Sequence, residues 1–329
     1  MTNTKVSNNY LKIIAALLSV VFVVAGVLLG LELWDKNRGN FGTVLEADNT
    51  IVYNGKEYVL NQNVETFLVL GLDKFEGASS NDSYNNDKQA DFLMLFVFDN
   101  DAKKWSVINI NRDTMAKINV LGVAGNKVDT VTKQIALAHT YGNGRNVSCQ
   151  NVANSVSVLF GGVKINHYIS FDLDSVSIVN DLAGGVTLTV LDDFSTIDPT
   201  LKKGETVTLM GDKALTYVRT RYGLEDSSNS TRMERQKQYL EALYQKLAEK
   251  SNTDSQFILN VLTQLDDHII SDRSVTQLKE ISEKCMEYEQ DAFLTIEGKN
   301  KMGEKYVEFY PSQDSLDKIM IDLFYKPKS

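Results

Sequence analysis

The spacing of apolar positions changes several times along the chain, and each change predicts an element. From Ile13 to Leu31 the run IIAALLSVVFVVAGVLLGL carries no charge over 19 residues, enough for a helix to cross a hydrocarbon core of roughly 30 Å. Lys12 and Trp34 bracket it like interface anchors. The run exceeds the usual apolar region of a cleaved signal, and no small-x-small site clearly follows it. It therefore predicts an uncleaved transmembrane anchor over 13–33, with residues 1–12 cytoplasmic, a polar stalk over 34–50 and an extracytoplasmic domain over 51–329. The localisation this implies is a single-pass protein of the cell membrane.

After the stalk, TIVYNGKEYVL alternates on both sides of Asn54-Gly55, the pair preferred by a two-residue type I′ hairpin because both positions need positive φ. ETFLVLGLD (65–73) and ADFLMLFVFD (90–99) are continuous apolar runs of strand length, as buried central strands are. WSVINI (105–110) follows the turn NDAKK and predicts a hairpin partner. TVTKQIALAHTYG (130–142) has helical spacing and ends on Gly142. HYISFD, DSVSIVNDLAGG and VTLTV then read strand, helix, strand, and LMGDKALTYVRTR opens a further helix. Helical patterns return in QKQYLEALYQKLAEK, SQFILNVLTQL and VTQLKEISEKC, before the strands DAFLTIEG and KYVEFYP and the helical stretch SLDKIMIDLFY. Interleaved strands and helices predict one α/β (α+β) domain whose central mixed sheet is flanked by helices.

Composition narrows the chemistry. At 43% hydrophobic and 23% charged the chain is globular, and a formal net charge of −9 excludes a general nucleic-acid surface. Any anion site must be local. Cys149 and Cys285 are the only cysteines, which fits either one bridge or two buried thiols.

The basic residues are unevenly chosen. Only eight of 34 are Arg, and five of those, Arg112, Arg219, Arg221, Arg232 and Arg235, fall at element ends in two segments. A guanidinium holds phosphate or carboxylate oxygens with a planar fork and stays charged at any working pH. Arg232, Arg235 and Gln236 share the first turn of a predicted helix, where free N–H groups and the dipole favour anions. Surface ion pairs with Glu225, Asp226 and Glu234 are the plainer reading of any single arginine. Four in the 17 residues from Arg219 to Arg235 point instead to a polyanion site.

Asp91 opens one apolar strand and Asp113 follows another, so both carboxylates emerge at one edge of the sheet. A pair of carboxylates completed by water and substrate phosphate is what Mg²⁺ takes. Asp73 is a third candidate; the alternative is that Asp113 merely pairs with Arg112. His139, inside an apolar segment, reads as packed, and His167 begins a strand without a partner signal. No G-x-S-x-G, P-loop, CxxC or HExxH pattern is present.

These residues resemble the LytR-CpsA-Psr (LCP) family of bacterial envelope proteins. The likeness runs in order from Glu65 to Leu247 through ETFLVLGLDK, ADFLMLFVFD, VININRDT, IALAHTYG, INHYISFD, DLAGGVTLTV, GDKALTYVRTR and TRMERQ. The resemblance implies a membrane-anchored, Mg²⁺-dependent phosphotransferase that moves a glycopolymer from undecaprenyl pyrophosphate onto peptidoglycan. It further implies that Arg112, Arg219, Arg221, Arg232, Arg235 and Gln236 hold the pyrophosphate, that Asp91 and Asp113 manage the metal, and that the lipid lies in an apolar tunnel. Three departures stand out. Asn111 replaces a proline before Arg-Asp-Thr, Thr231 replaces a glycine before Arg232, and Gln89 takes the place of an arginine ahead of Asp91. A polyprenyl-pyrophosphate hydrolase and a non-catalytic lipid-binding envelope regulator are the alternatives.

Overall fold

The computed structural model describes residues 50–72, 88–122, 124–220, 223–224, 229–254, 256–304 and 306–328. The predicted anchor and stalk, Asp73, Arg221, Glu225 and Asp226 lie outside them. The described residues form two compact units, a sheet unit drawn from 50–170, 270–272 and 288–328 and a helical unit drawn from 171–269 and 273–287.

The sheet unit opens with β1 (Thr50–Tyr53) and β2 (Lys56–Leu60). Asn54 and Gly55 have φ of 50° and 75°, as the type I′ turn requires. β3 (Val64–Leu72), β4 (Phe92–Asp99) and β5 (Lys104–Ile110) form an antiparallel meander, with Leu70 opposite Leu93 and Leu93 opposite Ile110. Successive side chains alternate faces. Leu68, Leu70, Leu93, Leu95 and Ile108 enter the main core, whereas Phe96 stacks on Trp105 at 5.9 Å, and both are buried.

β6 (Met115–Leu121) and β7 (Lys127–Gln134) follow as a second hairpin. This corrects the predicted helix over 130–142. Val131 and the threonines 130 and 132 are stiff at Cβ and favour the pleated chain, and only residues 135–140 coil, as a 3₁₀ turn. α1 (Asn146–Leu159) packs against that turn and β6. Asn151 fixes the docking, its Nδ2 donating to the carbonyls of Asn119, Ala138 and Tyr141 at 2.9–3.1 Å. Asn151→Ala removes the donor shared by the buried Ala138 carbonyl and two half-buried ones and is expected to cost about 1–3 kcal/mol in denaturant unfolding. β8 (His167–Asp172) then carries the chain into the helical unit.

There, α2 (Asp174–Leu182) is followed by β9 (Val186–Thr189) and β10 (Thr206–Leu209), paired antiparallel, and by α3 (Asp212–Arg219). α4 (Asn229–Thr253) packs on β9 and α3. Its positions Arg235, Tyr239, Leu243 and Leu247, spaced four apart on one face, are all buried. α5 (Phe257–Gln264), β11 (Ile269–Ser271) and α6 (Val275–Glu287) complete this stretch.

The chain returns with β12 (Glu289–Thr295), the hairpin β13 (Gly298–Met302) and β14 (Val307–Pro311), α7 (Gln313–Phe324) and β15 (Tyr325–Pro327). The central sheet has the order β11-β8-β3-β4-β5-β12, mixed because β12 runs parallel to β5. α1 and α7 cover one face through Val152, Val156, Leu316, Ile319 and Phe324. A mixed sheet flanked by helices is thus the fold, as the sequence predicts. Cys149 and Cys285 are both buried thiols, so the bridge is not formed.

Candidate phosphate and metal residues

The antiparallel pairing of β4 with β5 sets the first cluster. Because Leu93 faces Ile110, the residues just before β4 and just after β5 meet at the same end of the sheet. Asp91 is tied there by its N–H to the Gly71 carbonyl at 2.9 Å. Beyond β5 the chain turns at Asn111, whose side-chain oxygen accepts from the Asp113 N–H at 2.9 Å while its carbonyl accepts from Thr114 N–H at 3.0 Å. This is an Asx turn, and it explains how asparagine serves where proline would preset the bend.

The Arg112–Thr114 backbone is held from both sides. Ala136 N–H donates to the Arg112 carbonyl at 3.1 Å, Ile135 N–H to that of Thr114 at 2.7 Å, and Phe309 N–H to that of Asp113 at 2.9 Å. The Arg112 side chain therefore projects from a fixed base. Nη1 donates to Asp91 Oδ1, Nη2 donates to Gln89 Oε1, and Nε lies 3.8 Å from Asp113 Oδ1. Asp113 also accepts from Gln134 Nε2 at 2.9 Å.

One guanidinium is thus bracketed by two carboxylates, each a quarter exposed. Burial raises the Asp113 carboxyl above the ordinary aspartate range, and Arg112 offsets part of that rise. An oxygen-only pair with solvent access suits a hard divalent cation that keeps some of its water. No apolar alternation marks the strand that carries Gln134, because Lys127–Gln134 is mostly exposed. Gln89, where the family resemblance implies an arginine, accepts from Arg112 instead.

In the helical unit, Arg219 ends α3 and is exposed. Arg232 and Gln236 lie in the first turns of α4, and their side chains are outside the described residues. Arg235 departs from its predicted role. Its guanidinium is fully buried, donates to the carbonyls of Tyr217 and Thr220, and has Nε 2.8 Å from Asp192 Oδ2. A group so enclosed is not placed to meet a ligand.

The helical unit holds a second set of ligand-type side chains. Asp172, Asp174 and His268 bring one ligand atom each within 4.8 Å of one another, consistent with a divalent-metal site. Asp172 already accepts from Ser175 N–H at 3.1 Å, a free donor of the first turn of α2, and from His268 Nδ1 at 2.9 Å. An imidazole beside two carboxylates suits a transition ion better than Mg²⁺. Asp172-x-Asp174 at a strand-to-helix junction was the only signal in the sequence, and His268 gave none.

His139 is packed as predicted, with Nδ1 2.8 Å from the Lys88 carbonyl, and burial lowers its pKa to about 4. His167 does have partners, Asp272 at 3.1 Å and Glu65 at 3.8 Å.

Known proteins place the chain. It is 24% identical over 242 residues to the polyisoprenyl-teichoic acid–peptidoglycan teichoic acid transferase TagU of Bacillus subtilis (strain 168), covering 72% of this chain and 71% of the relative. It is 22% identical over 251 residues to biofilm regulatory protein A of Streptococcus mutans, covering 72% of this chain and 57% of that protein. The crystal structure of B. subtilis TagV shares the fold, with a TM-score of 0.55 at 20% identity over 80% of this chain and 97% of that one. Residues 40–324 match the LytR_cpsA_psr family, and the chain belongs to it.

Proposed function

We propose that this protein is a Mg²⁺-dependent phosphotransferase that moves an undecaprenyl-pyrophosphate-linked glycopolymer, a teichoic acid, capsule or other wall polysaccharide, onto peptidoglycan. The observation that carries the reading is the bracketing of Arg112 by Asp91 and Asp113 at one end of the central sheet. Family membership and a teichoic acid transferase among the relatives support it.

In this reading Arg112, Arg219, Arg221 and Arg232 with Gln236 bind the pyrophosphate, and Asp91 and Asp113 take the metal. The Ile13–Leu31 span keeps the domain beside a donor that stays in the bilayer. The acceptor sugar hydroxyl attacks the phosphorus that bears the glycan, the bond from that phosphorus to the bridging oxygen breaks, and undecaprenyl phosphate leaves. Such transfer is mainly positioning and charge neutralisation, which arginines supply without a protein nucleophile. Asp113, a carboxylate held beside the Arg112 guanidinium, receives the hydroxyl proton. Asp91 and Asp113 would hold a Mg²⁺, which would supply charge neutralisation there when bound.

The test incubates the full chain in detergent with lipid-linked oligosaccharide and Mg²⁺, with and without peptidoglycan. Glycan is expected on peptidoglycan, with undecaprenyl phosphate released, and the reaction is expected to stop with a chelator and resume with Mg²⁺. Free phosphorylated glycan formed regardless of acceptor would make the protein a hydrolase. No turnover in either arm would make it a lipid-binding regulator.

A further inference from the structure

We infer that Arg235, together with Asp192, is a positioning residue that fixes the end of α3 carrying Arg219 instead of touching phosphate itself. The inference rests on the pyrophosphate reading for Arg219, but its geometry stands independently. The last carbonyls of a helix have no intrahelical donor. At α3 two carbonyls of that end receive the Arg235 fork: Nη1 donates to Tyr217 O at 2.5 Å and Nη2 to Thr220 O at 2.6 Å. A neighbouring helix thus supplies the cap, and its positive charge faces the negative end of the α3 dipole.

The strut is braced along its length. Asp192 neutralises Nε at 2.8 Å, and the guanidinium lies over the Phe194 ring at 5.0 Å and the Tyr217 ring at 5.9 Å. Tyr217 is also gripped at its far end, where its hydroxyl donates to Gln238 Oε1 at 2.7 Å and accepts from Leu191 N–H at 3.2 Å. Gln238 in turn donates to the Thr189 carbonyl at 2.8 Å. Arg235 and Gln238, three apart on α4, therefore hold α3 through its last turn. Arg219 lies between the two capped carbonyls with its side chain exposed, so its backbone is immobilised while its charge remains available. A lysine at 235 keeps the charge but loses the fork that spans both carbonyls.

The two roles predict opposite signs for Asp192→Asn. If Arg235 were a phosphate ligand, removing its counter-charge would strengthen anion binding. As a strut it loses its brace, and binding weakens. Farnesyl pyrophosphate serves as the probe with the full chain in detergent. Asp192→Asn and Arg235→Lys are expected to weaken it about tenfold and to speed amide exchange across residues 212–220. Arg219→Ala is expected to weaken binding without changing that exchange, and adding Asp192→Asn to it should cost less than Asp192→Asn costs alone.

Tighter binding by Asp192→Asn, or unchanged exchange in both variants, overturns the strut. Unchanged binding by Arg219→Ala would defeat the pyrophosphate reading alone, and exchange would still decide the strut. Should the variants not fold, the unmodified protein decides: the Arg235 Nε–H resonance keeps its shift when the probe saturates, whereas a shift on binding would make Arg235 a ligand.

Discussion

Replacing Arg112 with alanine is expected to lower transfer by about 10²–10³-fold, the range seen when a fixed electrostatic donor is removed from a transition state. The guanidinium is held from a base with three backbone hydrogen bonds, so its position costs little to maintain as charge develops on the phosphate. Those bonds come from main-chain atoms and survive the substitution, so the melting temperature should move little. Arg112→Lys is expected to lose most of the activity too, because one ammonium cannot address Asp91 and Gln89 with separate nitrogens. Single-turnover rates with lipid-linked oligosaccharide measure this directly. Activity within threefold of the unmodified protein would remove Arg112 from the mechanism.

The second large effect concerns stability. Asp192→Ala leaves a guanidinium buried without its carboxylate, and breaking one side of a buried ion pair costs about 3–5 kcal/mol. Arg235 has no exposure, and Asp192 only 6%, so water cannot take the lost partner's place without opening the unit. The carbonyls of Tyr217 and Thr220 still accept hydrogen bonds but carry no compensating charge. Denaturant unfolding followed by hydrogen exchange in α4 measures the loss; a cost below 1 kcal/mol would show that the ring faces of Phe194 and Tyr217 suffice to hold the cation.

The contrast between Arg112 and Arg235 shows how far the sequence could be read. β3, β4 and β5 were legible because they are apolar on both faces, and two of their ends located Asp91 and Asp113. The β6–β7 hairpin was not, since Lys127–Gln134 is mostly exposed and carries no apolar alternation to mark a strand. Its loss hid Gln134. Local charge groups Arg235 with Arg232 and Gln236 as a polyanion site in the first turns of one helix. The spacing of four from Arg235 to Tyr239, repeated to Leu243 and Leu247, placed it on the buried stripe, and that longer periodicity outweighs local charge. No short pattern could have joined His268 to Asp172, because their meeting depends on a turn nearly a hundred residues away.

The closing strands have a consequence for synthesis. β12 supplies the edge beside β5, and β15, among the last residues, pairs with β2. A ribosome adding roughly 5–20 residues per second exposes the amino-terminal strands well before these partners exist. During that interval two sheet edges stand open to pairing with other chains. A stop codon ahead of β12 should therefore yield an aggregating product rather than a shortened active one.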